Sequence, residues 1–176
     1  MINVFFVFGL LTLVGCNGTE IDNFPQCPAV IIVKDTSELT SFRKRSEQHQ
    51  SDVKLKVRID SYKGECQTNL ESDRSGKISV DLQLKFDAIL GSASINRKES
   101  FKFYVAIVNI RGDILAKKIF STSLEFNKNI DRLFKTEKII QKIFLRSGES
   151  GVDFDILVGL HLSPDQLKHN LTKKYR

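Results

Sequence analysis

The sequence has few residues of the kinds that interrupt regular structure, and it lacks several common catalytic motifs. Its 176 residues include only 3 Pro and 10 Gly, and there is no Trp, although there are 13 Phe. With 41% hydrophobic residues, this composition excludes a largely disordered chain and predicts one globular domain with a sizeable core. A Gly-rich phosphate loop, a Gly-x-Ser-x-Gly elbow and a His-Glu-x-x-His motif are all absent. The sequence therefore predicts no catalytic residue, no cofactor and no enzymatic activity.

The first apolar segment has the length of an export signal. Residues 2–14 are almost entirely apolar, and this stretch is too short to span a bilayer. It runs into Leu13-Val14-Gly15-Cys16, which matches the bacterial lipobox, where the cysteine receives a diacylglycerol and becomes the first residue after cleavage. We therefore predict a signal peptide over residues 1–15 and lipidation of Cys16, although no Lys or Arg precedes the apolar stretch. The alternatives are an ordinary export signal cleaved nearby and an N-terminal core strand.

The basic charge of the chain lacks the pattern that nucleic-acid binding produces. There are 27 Lys and Arg against 21 Asp and Glu, a formal net charge of +6. These residues are spread along the chain and form no arm or stripe, so no nucleic-acid partner is predicted. Two or three acyl chains hold a small domain to a membrane almost permanently. The predicted location is the bacterial cell envelope, facing the periplasm, and the predicted partners are the membrane and an unknown envelope protein.

The predicted organisation has three parts after the signal peptide. Residues 16–26 are polar and form a flexible tether, residues 27–170 form the folded domain, and residues 171–176 form a basic tail. The tail contains Lys173, Lys174 and Arg176, which could lie against anionic lipid headgroups. A solvated terminus is equally consistent with this composition.

The sequence contains 3 cysteines, an odd number that the lipid anchor explains. Once Cys16 is assigned to the lipid, Cys27 and Cys66 are free to form a disulfide in an oxidising periplasm. Metal binding by these two thiols is the alternative, and it is less favoured because no Cys-x-x-Cys or His pair lies nearby. We therefore predict the disulfide and no metal site.

Alternation of apolar and polar residues dominates the sequence from residue 53 onward. It is clearest between Ile78 and Ala88, where every second residue is apolar and is predicted to face the core. An uninterrupted strand here would run roughly 40 Å, so we expect a bulge, a bend or a switch between sheets within it. Similar alternation predicts strands over residues 53–66, 101–110, 114–126, 138–146 and 152–162.

The remaining segments complete the predicted fold. Residues 28–33 are continuously apolar and predict a strand buried on both faces or at a sheet junction, whereas residues 35–50 predict a loop with one helical turn. Ser163 as N-cap and Pro164 at the first helical position predict a short helix that ends near Asn170. The predicted class is all-β, an antiparallel immunoglobulin-like β-sandwich of about seven or eight strands with a short C-terminal helix.

Few residues qualify as candidates for a chemical site. Asp153, Asp155 and His161 share one strand face, but the first and last are about 26 Å apart in an extended chain, so a solvated face is favoured. The tripeptide at 111–113, Arg-Gly-Asp, is an integrin-binding string, yet Gly and Asp are also what a tight hairpin turn requires. For the strand face and for the tripeptide alike, a structural role is favoured over a chemical or binding site.

Several short motifs resemble those of a known group of proteins. They are the lipobox, Cys27-Pro28, Gly64-x-Cys66, Leu115-Ala116-Lys117 and the run Leu157-Val158-Gly159-Leu160-x-Leu162-Ser163-Pro164-Asp165-Gln166-Leu167. Over most of residues 13–170 the chain resembles a family of small predicted lipoproteins from alphaproteobacteria. That family has no assigned activity, so the resemblance implies an envelope lipoprotein and carries over no catalytic residues. We expect a non-enzymatic protein-binding or scaffolding module; the alternative is a lipid-anchored enzyme or small-ligand carrier whose site is assembled from distant loops.

Overall fold

The computed structural model of the chain describes residues 27–43, 49–73 and 75–174, without the side chains of Lys173 and Lys174. The predicted signal peptide, Cys16 and the tether lie outside the described residues. Eight strands and one α-helix make up the described part, together with three short 3₁₀ turns. Their bounds are β1 Ala29–Ile32, β2 Glu38–Phe42, β3 Val53–Leu70, β4 Gly76–Leu90, β5 Lys98–Asn109, β6 Ile114–Glu125, β7 Arg132–Leu145, β8 Phe154–Leu160 and α1 Pro164–Lys174.

The strands form two four-stranded sheets that pack face to face. The first sheet has the order β1-β8-β5-β6 and the second has the order β2-β3-β4-β7. Neighbouring strands are antiparallel except β1, which runs parallel to β8. The chain crosses between sheets after β1, after β4, after β6 and after β7, so that β7 returns beside β4 and β8 beside β5. The prediction of an antiparallel immunoglobulin-like sandwich with a short C-terminal helix is confirmed.

The inward faces of both sheets supply one continuous core. The alternating apolar residues of β4 from Ile78 to Ala88 are all buried, as predicted. Aromatic rings fill the centre: the centroid of Phe86 lies 4.9 Å from that of Phe101 and 5.0 Å from that of Phe103. Close packing of this kind leaves each core position sensitive to the loss of even one methylene group. The side chains of β4 therefore hold the two sheets together.

The bulge that was expected within β4 lies instead on the neighbouring strand β3. β4 pairs with β7 without interruption, but the register of β3 against β4 shifts between Ile59 and Ser61. Asp60 is the extra residue, and a bulge of this kind bends the strand that carries it. After the bulge Tyr62, Gly64 and Cys66 pair with inward-facing residues of β4. The predictions of a bulge in β4 and of a switch between sheets within it were wrong, since the bulge lies on β3 and β4 stays in one sheet.

Two predictions near the start of the domain were wrong. Among the described residues β1 is an edge strand that pairs only with β8 and leaves Ile31 exposed, so burial on both faces was wrong. The alternative, a sheet junction, fits the crossing to the second sheet that follows β1. The predicted loop over residues 35–50 contains strand β2, which pairs with β3. In β2 only Leu39 is buried, so the strand has no alternating apolar pattern by which the sequence could reveal it.

Other predicted boundaries shift by a few residues. β7 begins at Arg132, six residues before the start of the strand predicted over residues 138–146. Val152 is exposed and lies in a 3₁₀ turn before β8, which begins at Phe154. The helix continues through Lys174, so the first four residues of the predicted tail are helical. Helix ends are hard to place from sequence because neighbouring packing decides how far the last turn continues.

The C-terminal helix begins as predicted and packs on the start of the domain. The Ser163 backbone N–H donates to Gln166 Oε1 at 2.8 Å, and the Gln166 backbone N–H donates to Ser163 Oγ at 3.3 Å. This reciprocal pair is a capping box. Asn170 Nδ2 donates to the carbonyl oxygens of Asp35 and Glu38, so the helix is tied to the segment that contains β2.

A glycine permits a contact between the first sheet and the 3₁₀ turn at residues 34–36. The hydroxyls of Thr36 and Tyr104 lie 3.0 Å apart, within hydrogen-bonding distance. A side chain at Gly159 would collide with both. The close approach of these hydroxyls to the backbone of β8 therefore requires glycine at this position.

Candidate functional site

The first sheet ends in a strand whose initial residues are exposed on both faces. Among the described strands β6 pairs only with β5, and residues 114–119 of β6 are all exposed although Ile114, Leu115 and Ile119 are large and apolar. We call residues 114–119 the β6 edge. A strand at the end of a sheet presents backbone N–H and C=O groups that an added strand can pair with. The β6 edge is therefore a surface to which an extended segment of another protein can bind.

The hairpin tip beside the β6 edge is organised by its own side chains. Asn109 Oδ1 accepts hydrogen bonds from the backbone N–H groups of Arg111 and Asp113, at 3.0 and 2.9 Å. The Asp113 carboxylate accepts from Asn109 Nδ2 and from Arg111 Nε. Gly112 has a positive φ of 84°. The Arg-Gly-Asp tripeptide thus forms the turn itself, and its two charged side chains bind one another.

The second sheet exposes apolar side chains on its outer face. Along β7 the outward residues alternate in character, and the apolar residues Phe134, Ile140 and Phe144 are exposed. Lys138 and Lys142 lie between them on the same face and are also exposed. We call the outward residues of this strand the β7 face: Arg132, Phe134, Thr136, Lys138, Ile140, Lys142 and Phe144. An exposed apolar row bordered by cations is a typical interaction surface.

A buried carboxylate and two arginines lie at one end of the β7 face. The Asp87 side chain is only 2% exposed, and Arg132 binds it through Nε and Nη2 at 2.8 and 2.7 Å. Arg58 Nε donates to the same carboxylate at 2.9 Å. These hydrogen bonds, chiefly those from Arg132, lower the pKa of Asp87 below its ordinary value, although burial alone would raise it. Asp87 is therefore ionised at neutral pH and fixes both guanidinium groups.

The cluster extends to an aromatic ring on the β7 face. Lys85 Nζ lies 4.3 Å from the ring centroid of Phe134, and the Arg132 guanidinium carbon lies 5.4 Å from it. Lys85 also pairs with Asp60, the bulge residue of β3, at 3.3 Å. Cations over an aromatic face are attracted by its negative potential. Phe134 is consequently held in place, while the other apolar residues of the β7 face extend from the sheet.

Two surface depressions accompany these features. One, of about 200 Å³, adjoins the cluster and is lined by residues that include Lys56, Arg58 and Ile89. The other, of about 500 Å³, lies between residues 98–100 of β5 and 123–125 of β6. Small-molecule sites are usually concave clefts of 300 to 1,000 Å³ that bury most of the ligand. Both depressions are open to solvent, and the smaller one falls below that range.

The predicted disulfide is present and joins the two sheets. The Cα atoms of Cys27 and Cys66 lie 6.1 Å apart. Cys27 precedes β1, at the edge of the first sheet, and Cys66 lies in the part of β3 that extends beyond β2. The bridge therefore closes the open side of the sandwich opposite β6 and β7.

The remaining residues considered from sequence do not form a site. Asp153 accepts a hydrogen bond from the Ser150 backbone N–H and caps a 3₁₀ turn, Asp155 lies on β8, and His161 follows the end of that strand. Within the described residues no group of three or more His, Cys, Asp or Glu could hold a metal ion. No helix in the described ranges combines the length and hydrophobicity that a membrane span requires.

The charged cluster is the feature that sequence reasoning missed. Arg58, Asp87 and Arg132 come from three strands, and only the register places Arg58 opposite Asp87 and Arg132 two pairs further along, on the same face. The lysines that looked scattered along the sequence are likewise gathered by alternation onto the outer face of the second sheet. Their even spacing, from Lys77 to Lys85 on β4 and from Lys138 to Lys142 on β7, was the available signal.

Comparison with known proteins identifies no family. No protein-family model matches the chain, and no curated protein matches it. Among solved structures, the chain is similar to the variable domain of the AgI/II polypeptide BspA from Streptococcus agalactiae, at 15% identity over 92% of each chain with a TM-score of 0.21. A TM-score of this size establishes neither a shared fold nor a shared role.

Proposed function

We propose that this chain is a lipid-anchored lipoprotein of the bacterial envelope that acts as a non-enzymatic protein-binding or scaffolding module. Cys16 carries the lipid, the folded domain faces the periplasm, and the β6 edge binds a segment of a partner protein. The observation that carries the proposal is the exposure of Ile114, Leu115 and Ile119 on a strand with one unpaired side.

Strand addition explains why these residues remain exposed. Backbone hydrogen bonds to an added strand supply affinity, and side-chain contacts on alternate positions supply specificity. Lys117 and Lys118 lie within the β6 edge, and lysines on an edge strand oppose uncontrolled self-association. They also favour a partner segment that carries acidic residues, because opposite charges on adjacent strands stabilise their pairing.

We propose binding, and not catalysis or ligand transport, because side chains fill the interior between the two sheets. The core between the sheets is filled by side chains such as Phe86 and Phe103. A small-ligand carrier needs a cavity that encloses its cargo. The depressions described above are open, and the pair Arg58 and Arg132 beside one of them is already bound to Asp87.

Site-specific photo-crosslinking in cells tests the binding surface. A photoreactive amino acid at Leu115 or Lys117 should give a covalent adduct of one defined mass with an envelope protein. The same group at Glu71, an exposed residue in the turn between β3 and β4, should give none. A second substitution, Ile119→Asp, should abolish the adduct from position 117 without changing the amount of folded protein. Adducts of equal yield at all positions, or at none, would contradict the assignment of the β6 edge.

Mass spectrometry tests the anchor independently of the partner. Mature protein should begin at Cys16 and carry the mass of a diacylglycerol, and Cys16→Ser should remove both the added mass and the membrane association. An unmodified Cys16 in the mature protein would exclude the lipid anchor while leaving the crosslinking result valid.

A further inference from the structure

The β7 face combines two properties that rarely occur together on a free surface. Phe144 is 73% exposed and Ile140 is 63% exposed, although both are large and apolar. Lys138 and Lys142 stand beside them, and no acidic side chain among the described residues lies within ion-pair distance of either lysine. Apolar side chains that alternate with unpaired lysines suit the boundary between lipid headgroups and acyl chains, where each type finds its preferred surroundings.

The position of the N-terminal attachment leaves this face within reach of a lipid on Cys16. Cys66 pairs with Val80, and Val80 pairs with Gln141, so the disulfide lies level with the middle of β7. Two strand spacings separate Cys66 from Gln141, a distance of about 10 Å. Residues 16–26 extend over at most roughly 40 Å. A lipid on Cys16 would therefore keep the flanking residues Ile140 and Lys142 within reach of the bilayer surface.

We propose that the β7 face rests on anionic phospholipid headgroups, which fixes the orientation of the tethered domain on its membrane. The inference rests on the proposed lipid anchor and adds a second, weaker attachment to it. Lys138 and Lys142 bind headgroup phosphates, and the side chains of Ile140 and Phe144 enter the interface. A second copy of the chain is a poorer occupant, because two domains of formal net charge +6 repel one another. In this orientation the β6 edge, which belongs to the other sheet, remains open to a partner.

The absence of Trp from the sequence gives a direct test. Phe144→Trp introduces a single indole on the β7 face, and Ile110→Trp introduces one at the hairpin tip, where Ile110 is 76% exposed. The lipidated variants are reconstituted into vesicles of phosphatidylglycerol and phosphatidylcholine in equal parts, with brominated acyl chains as fluorescence quenchers. We expect strong quenching for Phe144→Trp and little for Ile110→Trp. Vesicles of phosphatidylcholine alone should lower the quenching of the first variant to that of the second.

Substitution of the two lysines by Gln measures how much their charge contributes to membrane docking. Adding Lys138→Gln and Lys142→Gln to the Phe144→Trp variant should weaken docking about 25-fold, since each lysine near an anionic surface contributes roughly fivefold. Sodium chloride at about 1 M, where the Debye length is about 3 Å, should have a similar effect. Lys102→Gln with Lys168→Gln, exposed residues on β5 of the first sheet and on α1, removes the same charge away from the β7 face and should weaken docking less.

The outcomes separate the docking from the anchor. Protein that floats with the vesicles but shows no quenching at position 144 overturns the docking alone. Protein that does not float overturns both the anchor and the docking. Equal quenching at positions 144 and 110 overturns the fixed orientation, and a dimer in detergent that Phe144→Trp dissociates would assign the β7 face to a second copy instead.

Discussion

Substitution of Asp87 by Asn tests whether the buried carboxylate holds the second sheet together. Asn has nearly the same shape, so the change removes the charge and places an amide donor against guanidinium donors. Asp87 receives hydrogen bonds from Arg58 on β3 and from Arg132 on β7. The variant therefore loses the polar link that joins three adjacent strands, while the apolar core on the opposite face is unchanged.

The exposure of the two arginines determines how strongly Asp87→Asn should destabilise the folded protein. Breaking a buried ion pair by removing one partner costs about 3 to 5 kcal/mol, mainly because the remaining charge is left without water or counterion. Here the side chains of Arg58 and Arg132 are 51% and 55% exposed, so both can be hydrated again. We therefore expect the lower end, about 3 kcal/mol of unfolding free energy. For a domain of this size, that corresponds to a decrease in Tm of roughly 6 to 12 °C.

The effect should depend on pH in a defined direction. Because the folded-state pKa of Asp87 is lowered below the reference value of 3.8, its ionisation stabilises the folded protein above pH 3.8. That stabilisation is lost as the pH falls through the lowered pKa. Urea denaturation at a series of pH values should show the full difference between wild type and Asp87→Asn near pH 6. The difference should shrink below pH 3.8.

Asp81→Asn is the matched control for this experiment. Asp81 lies on the same strand and the same outer face, but it is exposed and has no ion pair among the described residues. It should change stability by less than about 0.5 kcal/mol at any pH. The reasoning would be refuted if Asp87→Asn cost no more than this control, or if its cost were the same at pH 6 and well below pH 3.8.

Three further predictions concern stability. Leu82→Ala removes a fully buried side chain and should cost about 2 to 5 kcal/mol in urea denaturation, whereas Asp81→Ala should cost less than about 0.5 kcal/mol. Replacing both cysteines of the inter-sheet disulfide with Ala should cost roughly 4 kcal/mol, and the non-reduced wild-type domain should show no reactive thiol there. Gly159→Ala should cost about 1 to 3 kcal/mol by thermal denaturation, since the new methyl group meets two hydroxyls; Gly64→Ala, with nothing nearer than 3.9 Å, should be tolerated.

The local sequence pattern was sufficient to predict much of the fold. Strict alternation from Ile78 to Ala88 has no helical equivalent, so it predicted both a strand and its buried face. The start of α1 was predictable because the capping preference of Ser163 and the fixed φ of Pro164 act within one turn. In each case the physical determinants lie within a few residues of one another.

The errors arose where distant residues decide the structure. An apolar run such as that of β1 fits a central strand and an edge strand equally well, and only its neighbours determine which it becomes. β2 forms because β3 provides backbone partners, not because its own residues favour a strand. The burial of Asp87 likewise depends on two arginines 29 and 45 residues away in sequence. The alternation of β7 alone places Lys138 and Lys142 on its outer side, whereas the position of Lys77 opposite Phe144 required the register of β4 against β7.

The disulfide between Cys27 and Cys66 also determines how the domain bears mechanical load. A pull on the N-terminal segment enters the described domain at Cys27, immediately before the four residues of β1. Without the bridge, tension would act first on this short edge strand and peel it from β8. The bridge instead passes tension to β3, which is paired with β4 from Leu55 to Leu70. Reduction of the disulfide would therefore change which strand yields first under force.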